Sequence, residues 1–275
     1  MSTKFNFLTI FLSVLVYSGC QNNLDWVGTL PKPWTLSESE VSNLLPEFHS
    51  RFPDFHDRLK AFAIWQVGKP YEIFKLGEEK EPDPDPIIRL DVSDCTVHVL
   101  TSLAFVKSKS WQEAKENMIH LHYKDHKPDF TSRWHFTSDR ILSHPETVDI
   151  SQTLVPIEKL RNVQVILNQK ESGEELLDLD WKREVETYYI PNDQINESLL
   201  KNLPEICGVA FVKKSFFNSG IIIGHEGMLI DNTNLLHAST AEGETVNVKF
   251  LDYYFSNPEG VFDGVMIYEF KVERK

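Results

Sequence analysis

The stretch GIIIGHEGMLIDNTNLLHAST, residues 220–240, decides the fold class. Ile221 to Ile230 reads as one strand, DNTN at 231–234 as the turn and Leu235 to Ser239 as the returning strand. Each arm carries one histidine. His225 and His237 are twelve residues apart, and the turn between them brings them onto neighbouring strands. Outward from this hairpin, residues 206–213, 245–250 and 264–272 are also short, rich in β-branched or aromatic residues and separated by turn residues. Upstream the period changes. Residues 48–67 place Phe52, Phe55, Leu59, Phe62, Ala63 and Val67 near helical spacing, and residues 95–106 and 110–122 read as two more helices. Helices first and strands last predict an α+β domain with an antiparallel sheet.

The second informative stretch is VSDCTVHVLTSLAF, residues 92–105. Ser93 or Asp94 is a good N-cap, and Val99, Leu103 and Val106 recur as one buried helix face does. Cys95 then falls in the first turn, where unpaired backbone N–H groups and the helix dipole favour the thiolate, the nucleophilic form. The other reading is a small core residue at a helix start, since free cysteine is among the most buried residue types. A nucleophilic thiol needs a base, and the base needs a third group to fix its tautomer. The two hairpin histidines supply both, although histidines in a half-exposed sheet need no function at all. His98, one turn after Cys95, competes as the base, but a base on the same helix crowds the line of attack. Cys207 lies in ICGVAFV and reads as a small core residue of a buried strand.

Residues 1–19 contain one basic residue, Lys4, no acid, and an apolar run from Phe5 to Tyr17, the pattern of an export signal. The Ser18-Gly19-Cys20 that follows resembles the bacterial lipobox, whose cysteine is lipidated and becomes the mature N-terminus, although Tyr17 stands where an aliphatic residue is usual. A plain cleaved signal is the alternative, and a retained membrane helix fits less well because about 13 apolar residues are short for a bilayer. With Cys20 lipidated, only Cys95 and Cys207 remain, and no structural disulfide is expected. Residues 20–45 read as a tether and N-terminal extension, and the rest of the chain suffices for one domain with a sizeable core. EEKEPDPDP at 78–86 reads as a solvated acidic loop, with gating of a site as the alternative. The formal net charge is −13, and −14 once the leader with its single charged residue Lys4 is removed. Such a chain lacks the basic face that nucleic acid or anionic headgroups require. The expectation is an exported monomer facing the periplasm or cell surface and held to the membrane through lipid on Cys20.

The order of these motifs carries a resemblance. DC followed by a helix, and then GHEGMLI and LLHAST, resembles the NlpC/P60 superfamily of papain-like cell-wall hydrolases, and GKPY at 68–71 is similar to that family's G-x-P-Y element. The long gap from Tyr71 to Cys95, TSRWHFTSDRIL at 131–142 and YYIP at 188–191 resemble more closely its DUF1460 branch, described as N-acetylmuramoyl-L-alanine amidase-like. The resemblance covers roughly residues 50–272. It implies a papain-like core over residues 46–275, with N-terminal helices packed on an antiparallel sheet or half-barrel, and a peptidoglycan or muropeptide substrate with no cofactor. It further implies Cys95 as nucleophile, His225 as general base and His237 as the residue that orients it. Tyr71 matches the family tyrosine beside the thiol, where it can help hold an oxyanion, and Arg133 and His135 match an R-x-H element assigned to substrate contact. Two departures stand out. Val209 occupies the place of an expected aspartate, which Glu205 cannot be assumed to replace, and Thr96-Val97-His98 follows the cysteine where other small or acidic residues are common.

The resemblance leaves the scissile amide open between the muramyl lactyl–L-alanine bond and a bond inside the stem peptide after D-γ-glutamate. Cys95, His225 and His237 are also acceptable ligands for a zinc ion, although no metal is expected. A catalytically silent wall-binding lipoprotein is the remaining alternative.

Overall fold

The computed structural model describes residues 23–256 and 261–271, so the leader and Cys20 lie outside the described residues. Residues 23–29, expected as tether, form a helix (α1), and its Val27 is buried in the main core. The periodic stretch 48–67 is two helices instead of one. The backbone leaves α2 (Glu38–Arg51) at Phe52-Pro53 and restarts in α3 (Phe55–Trp65). Pro53 disfavours helical backbone in the residue before it, and Asp54 then caps α3 by accepting from the His56 and Asp57 amides. The other two expected helices are α4 (Cys95–Val106) and α5 (Trp111–His122), capped by Asp94 and Ser110. The Phe62 ring of α3 stacks on Phe105 of α4 with centroids 5.3 Å apart.

Short elements fill the stretch between α5 and the hairpin, to which the sequence reading assigns nothing before residue 206. They are α6 (Thr137–Ser143), β1 (Thr147–Asp149), α7 (Ser151–Leu154), β2 (Arg161–Leu167), β3 (Arg183–Pro191) and α8 (Glu197–Leu200). Then come the expected strands β4 (Ile206–Val212), β5 (Ile223–Ile230), β6 (Asn234–Ser239) and β7 (Glu244–Lys249), the helix α9 (Phe250–Phe255) and β8 (Gly264–Phe270). The sheet order is β2-β3-β8-β4-β5-β6-β7, with β1 paired to β8, and all these ladders are antiparallel.

Every residue of β4 is buried because this strand is central and covered on both faces. Ile206, Ala210 and Val212 join the core under the helices, and Cys207, Val209 and Phe211 join a second core on the opposite face. That alternation explains why ICGVAFV is continuously apolar. Asp231 and Asn232 take left-handed φ angles of 52° and 55°, which short polar side chains tolerate, and so β5 returns tightly into β6. Mixed helices on an antiparallel sheet make this an α+β fold. Among the described residues, no helix is long and apolar enough to cross a membrane.

Candidate active site

Cys95 is the first residue of α4 and is half-buried. Asp94 fixes this helix start from both sides: Oδ1 accepts from the Val97 amide at 2.8 Å, and Oδ2 accepts from the Phe74 amide at 2.9 Å. The segment carrying Tyr71 is drawn in by its backbone. Ser93 N–H donates to Pro70 O, Glu72 N–H to Ser93 O and Tyr71 N–H to Gly243 O. The Tyr71 backbone is thereby threaded between the residues just before Cys95 and the start of β7.

The two histidines meet across the hairpin. The β5–β6 ladder pairs Met228 with Leu236, which puts His225 and His237 on a diagonal, and His225 Nε2 lies 2.9 Å from His237 Nδ1. Two backbone features make the diagonal reachable. A bulge between Phe211 and Val212 shifts the β4–β5 register beside His225, and bulges re-aim the side chains next to them. Gly227 supplies the close approach: a Cβ there would lie 2.8 Å from Leu236 O and 3.0 Å from the His237 Cβ. The rings of Phe211, Tyr253 and Phe262 surround His225 at 5.2, 6.2 and 6.3 Å between centroids. Burial holds the His225 imidazole down at about 3, with the neighbouring His237 adding to the effect, and burial holds His237 at about 4. Both rings are neutral near pH 7.

The thiol differs from the sequence expectation. Burial, then the carboxylates of Asp94 and Glu226, push the Cys95 thiol up to about 12, so its place at a helix start does not make it acidic. Glu226 itself, adjacent to His225 and fully buried, is held by four donors. Arg140 Nη2 and the Tyr268 hydroxyl donate to Oε2 at 2.6 and 2.8 Å. Thr96 and Thr137 hydroxyls donate to Oε1 at 2.8 and 3.3 Å. This carboxylate therefore ties the residue after Cys95 to α6, β5 and β8. Its sequence signal was a lone acid inside the apolar strand GHEGMLI. Tyr253 had no such signal. Its ring centroid is 4.4 Å from that of His237, and burial with the Cys95 thiol pushes its hydroxyl up to about 12.

Arg133 and His135 each have protein partners. Arg133 Nη2 pairs with Glu78 at 2.5 Å and Asp83 at 2.9 Å, so the acidic loop is strapped to the body. His135 Nε2 bonds the Phe130 carbonyl at 2.6 Å. Val209 is buried core between Gly227 and Ile267, and Glu205 pairs with Lys60. Cys95 and Cys207 are free thiols. Among the described residues, no group of three or more His, Cys, Asp or Glu is placed to hold a metal ion.

Residues 62–261 match a family model, AmiA-like, described as N-acetylmuramoyl-L-alanine amidase-like. A Legionella pneumophila protein assigned to DUF1460 has a similar solved structure, with a TM-score of 0.71 and 19% identity over 86% of this chain and 95% of that one. An N-acetylmuramoyl-L-alanine amidase from Bacteroides uniformis follows at a TM-score of 0.60 and 19% identity, covering 78% and 98%. A putative xylanase from Bacteroides fragilis gives 0.59 and 22%, covering 76% and 99%. At these identities the likeness is one of fold, and neighbours with different names show that fold alone does not fix the reaction. No curated protein matches the sequence.

Proposed function

Because the chain belongs to the AmiA-like family of N-acetylmuramoyl-L-alanine amidase-like proteins, we propose that it is a cysteine hydrolase of peptidoglycan amides in the NlpC/P60, papain-like manner. The observation that carries this reading is the 2.9 Å contact between His225 Nε2 and His237 Nδ1 on the sheet beside the helix that begins at Cys95. That contact occupies one nitrogen of His225 and leaves Nδ1 for a proton from the thiol.

The environment sets the order of events. A thiol raised to about 12 and an imidazole lowered to about 3 are both neutral at rest, so proton transfer accompanies attack and no ion pair precedes it. Cys95 Sγ attacks the amide carbon while His225 Nδ1 takes the thiol proton. The oxyanion is held by the Cys95 backbone N–H and Tyr71, whose segment is pinned beside the helix start. His225 then protonates the leaving amine as the C–N bond breaks, giving a thioester. It next takes a proton from water, which attacks the thioester and frees the acid and the thiol. His237 accepts from His225 Nε2–H throughout and stabilises the imidazolium. Arg133 fastens the acidic loop through Glu78 and Asp83 and, with His135, is the proposed substrate contact.

The preferred bond is the muramyl lactyl–L-alanine amide. Digestion of purified peptidoglycan, read by mass spectrometry, should yield stem peptides with a free N-terminal L-alanine, and Cys95→Ser should yield none. Fragments starting after D-γ-glutamate would move the cut into the stem, and undiminished digestion by Cys95→Ser would end the thiol mechanism. Export and a lipid on Cys20 belong to the same reading. Membrane retention of Cys20→Ala equal to wild type, with no lipid label in either, would contradict the anchor.

A further inference from the structure

The stretch TSRWHFTSDRIL, residues 131–142, supplies more than Arg133 and His135. Its Thr137 and Arg140 both reach Glu226, the lone acid of β5. Glu226, Arg140 and Tyr268 are all buried. A carboxylate offers about four lone-pair sites, and here each oxygen already has two donors: Arg140 and Tyr268 on Oε2, Thr96 and Thr137 on Oε1. A turn of the carboxyl group would therefore break all four bonds. Arg140 and Thr137 come from α6 and Tyr268 from β8, so among these donors only Thr96 belongs to the helix that begins at Cys95. Stability gives little reason for such a group, since apolar residues of similar volume often replace a buried ion pair without loss. What it fixes is position.

The residues on either side of Cys95 are anchored to different parts of the site. Asp94 accepts from the Phe74 amide at 2.9 Å and so holds the segment that carries Tyr71. Thr96 donates to Glu226 at 2.8 Å, and the chain neighbour of Glu226 on β5 is His225. The thiol lies between these two anchors. We propose that the Thr96 hydroxyl and the Glu226 carboxylate are a positioning pair that sets the start of α4 against β5, and with it the reach from Cys95 Sγ to His225, while Thr137, Arg140 and Tyr268 hold the carboxylate still. The pair acts through place and not through acidity, because the charge of Glu226 helps to push the thiol up. Proton transfer in step with attack tolerates that charge, since no free thiolate has to form beside it. The inference rests on the cysteine-hydrolase reading, and its test does not require peptidoglycan.

Iodoacetamide alkylation of Cys95 in the full-length protein, mapped by mass spectrometry and followed across pH, reads the coupling of thiol and base. Thr96→Val keeps the shape of the side chain and loses the donor. It should slow neutral-pH alkylation by roughly 10- to 100-fold, the scale on which about an ångström of misplacement acts. The gap should narrow in alkaline buffer, where hydroxide takes the thiol proton in place of the base. Thr96→Ser keeps the donor and should restore the wild-type profile. Thr137→Val strips the same oxygen of its longer bond without touching α4, and it should lose less. Thr96→Ala removes the same hydroxyl and gives the reading if Thr96→Val fails to fold. A wild-type profile in the folded variant without the hydroxyl would overturn the pair, and so would a loss in Thr96→Ser or Thr137→Val as large as in Thr96→Val. In those cases a slow His225→Ala leaves the hydrolase reading standing, whereas His225→Ala alkylated as fast as wild type would end both.

Discussion

Cys95 stands at a helix start, yet burial, with the carboxylates of Asp94 and Glu226 adding to it, outweighs the helix. A helix dipole is worth about 0.3–2 kcal/mol to a group at its end. The rise of the thiol from 9.0 to about 12 corresponds to roughly 4 kcal/mol in the other direction. Reactivity therefore has to come from His225, and the two histidines should respond differently to substitution. His225→Ala is expected to remove essentially all turnover, whereas His237→Asn, which can still accept a ring N–H, should retain more activity than His237→Ala. Equal losses in the two His237 variants would show that orientation is not its role. Glu226 offers a stability test at the same scale. Glu226→Gln leaves Arg140 buried without its counter-charge, and breaking such a pair costs about 3–5 kcal/mol, readable as a lower urea midpoint. An unchanged midpoint would mean that Arg140 finds another partner. The placement of Cys95 at a helix start and of His225 and His237 on the two arms of a hairpin was legible because a cap, a period and a turn set it. Tyr253 was not, because it arrives from α9 with no periodic signal.

At the scale of elements, β4 and β8 position the network around Glu226 under β5. Gly208 pairs with Tyr268 in their ladder, and a Cβ at Gly208 would lie 2.1 Å from the Tyr268 ring. Gly208→Ala should therefore push the Tyr268 hydroxyl off Glu226 and cost about 1–3 kcal/mol, the usual range for overpacking. Chemical denaturation checks the cost, and a neutral result would place the ring's freedom to move above its contact with Glu226. Helix α4 and the β5–β6 hairpin were readable from sequence because their signals are local: a cap, a period, a turn. The split between α2 and α3 was also written there, in Pro53, but the six apolar residues at helical spacing from Phe52 to Val67 masked it. β2 carried a legible alternation in Val163, Val165 and Leu167, all buried, with exposed residues between. The packing of α1 was not legible, since its one fully buried residue, Val27, depends on a tertiary contact.

For the whole molecule, the buried histidines predict acid lability. His98, His122, His135, His144, His225 and His237 are all held below their ordinary 6.5 by burial. Between that value and their depressed folded values the unfolded chain binds more protons, so stability rises with pH across this window and is lost as pH falls below about 6.5. Thermal midpoints measured from pH 8 to pH 4 should decline most steeply below pH 6.5, and a flat profile would contradict neutral burial of these rings. The fold class and the order of the site residues were legible across the chain, whereas the strap from Arg133 to Glu78 and Asp83 was not, because loop partners leave no pattern in sequence. The proposed mechanism requires a covalent acyl intermediate on Cys95. Intact-protein mass spectrometry during turnover of a muropeptide tests it most directly. The expected result is a hydroxylamine-labile adduct mapped to Cys95, carrying the acyl side of the cleaved amide and absent from Cys95→Ala. Turnover that continues in Cys95→Ala, with no thioester on the wild-type thiol, would contradict it.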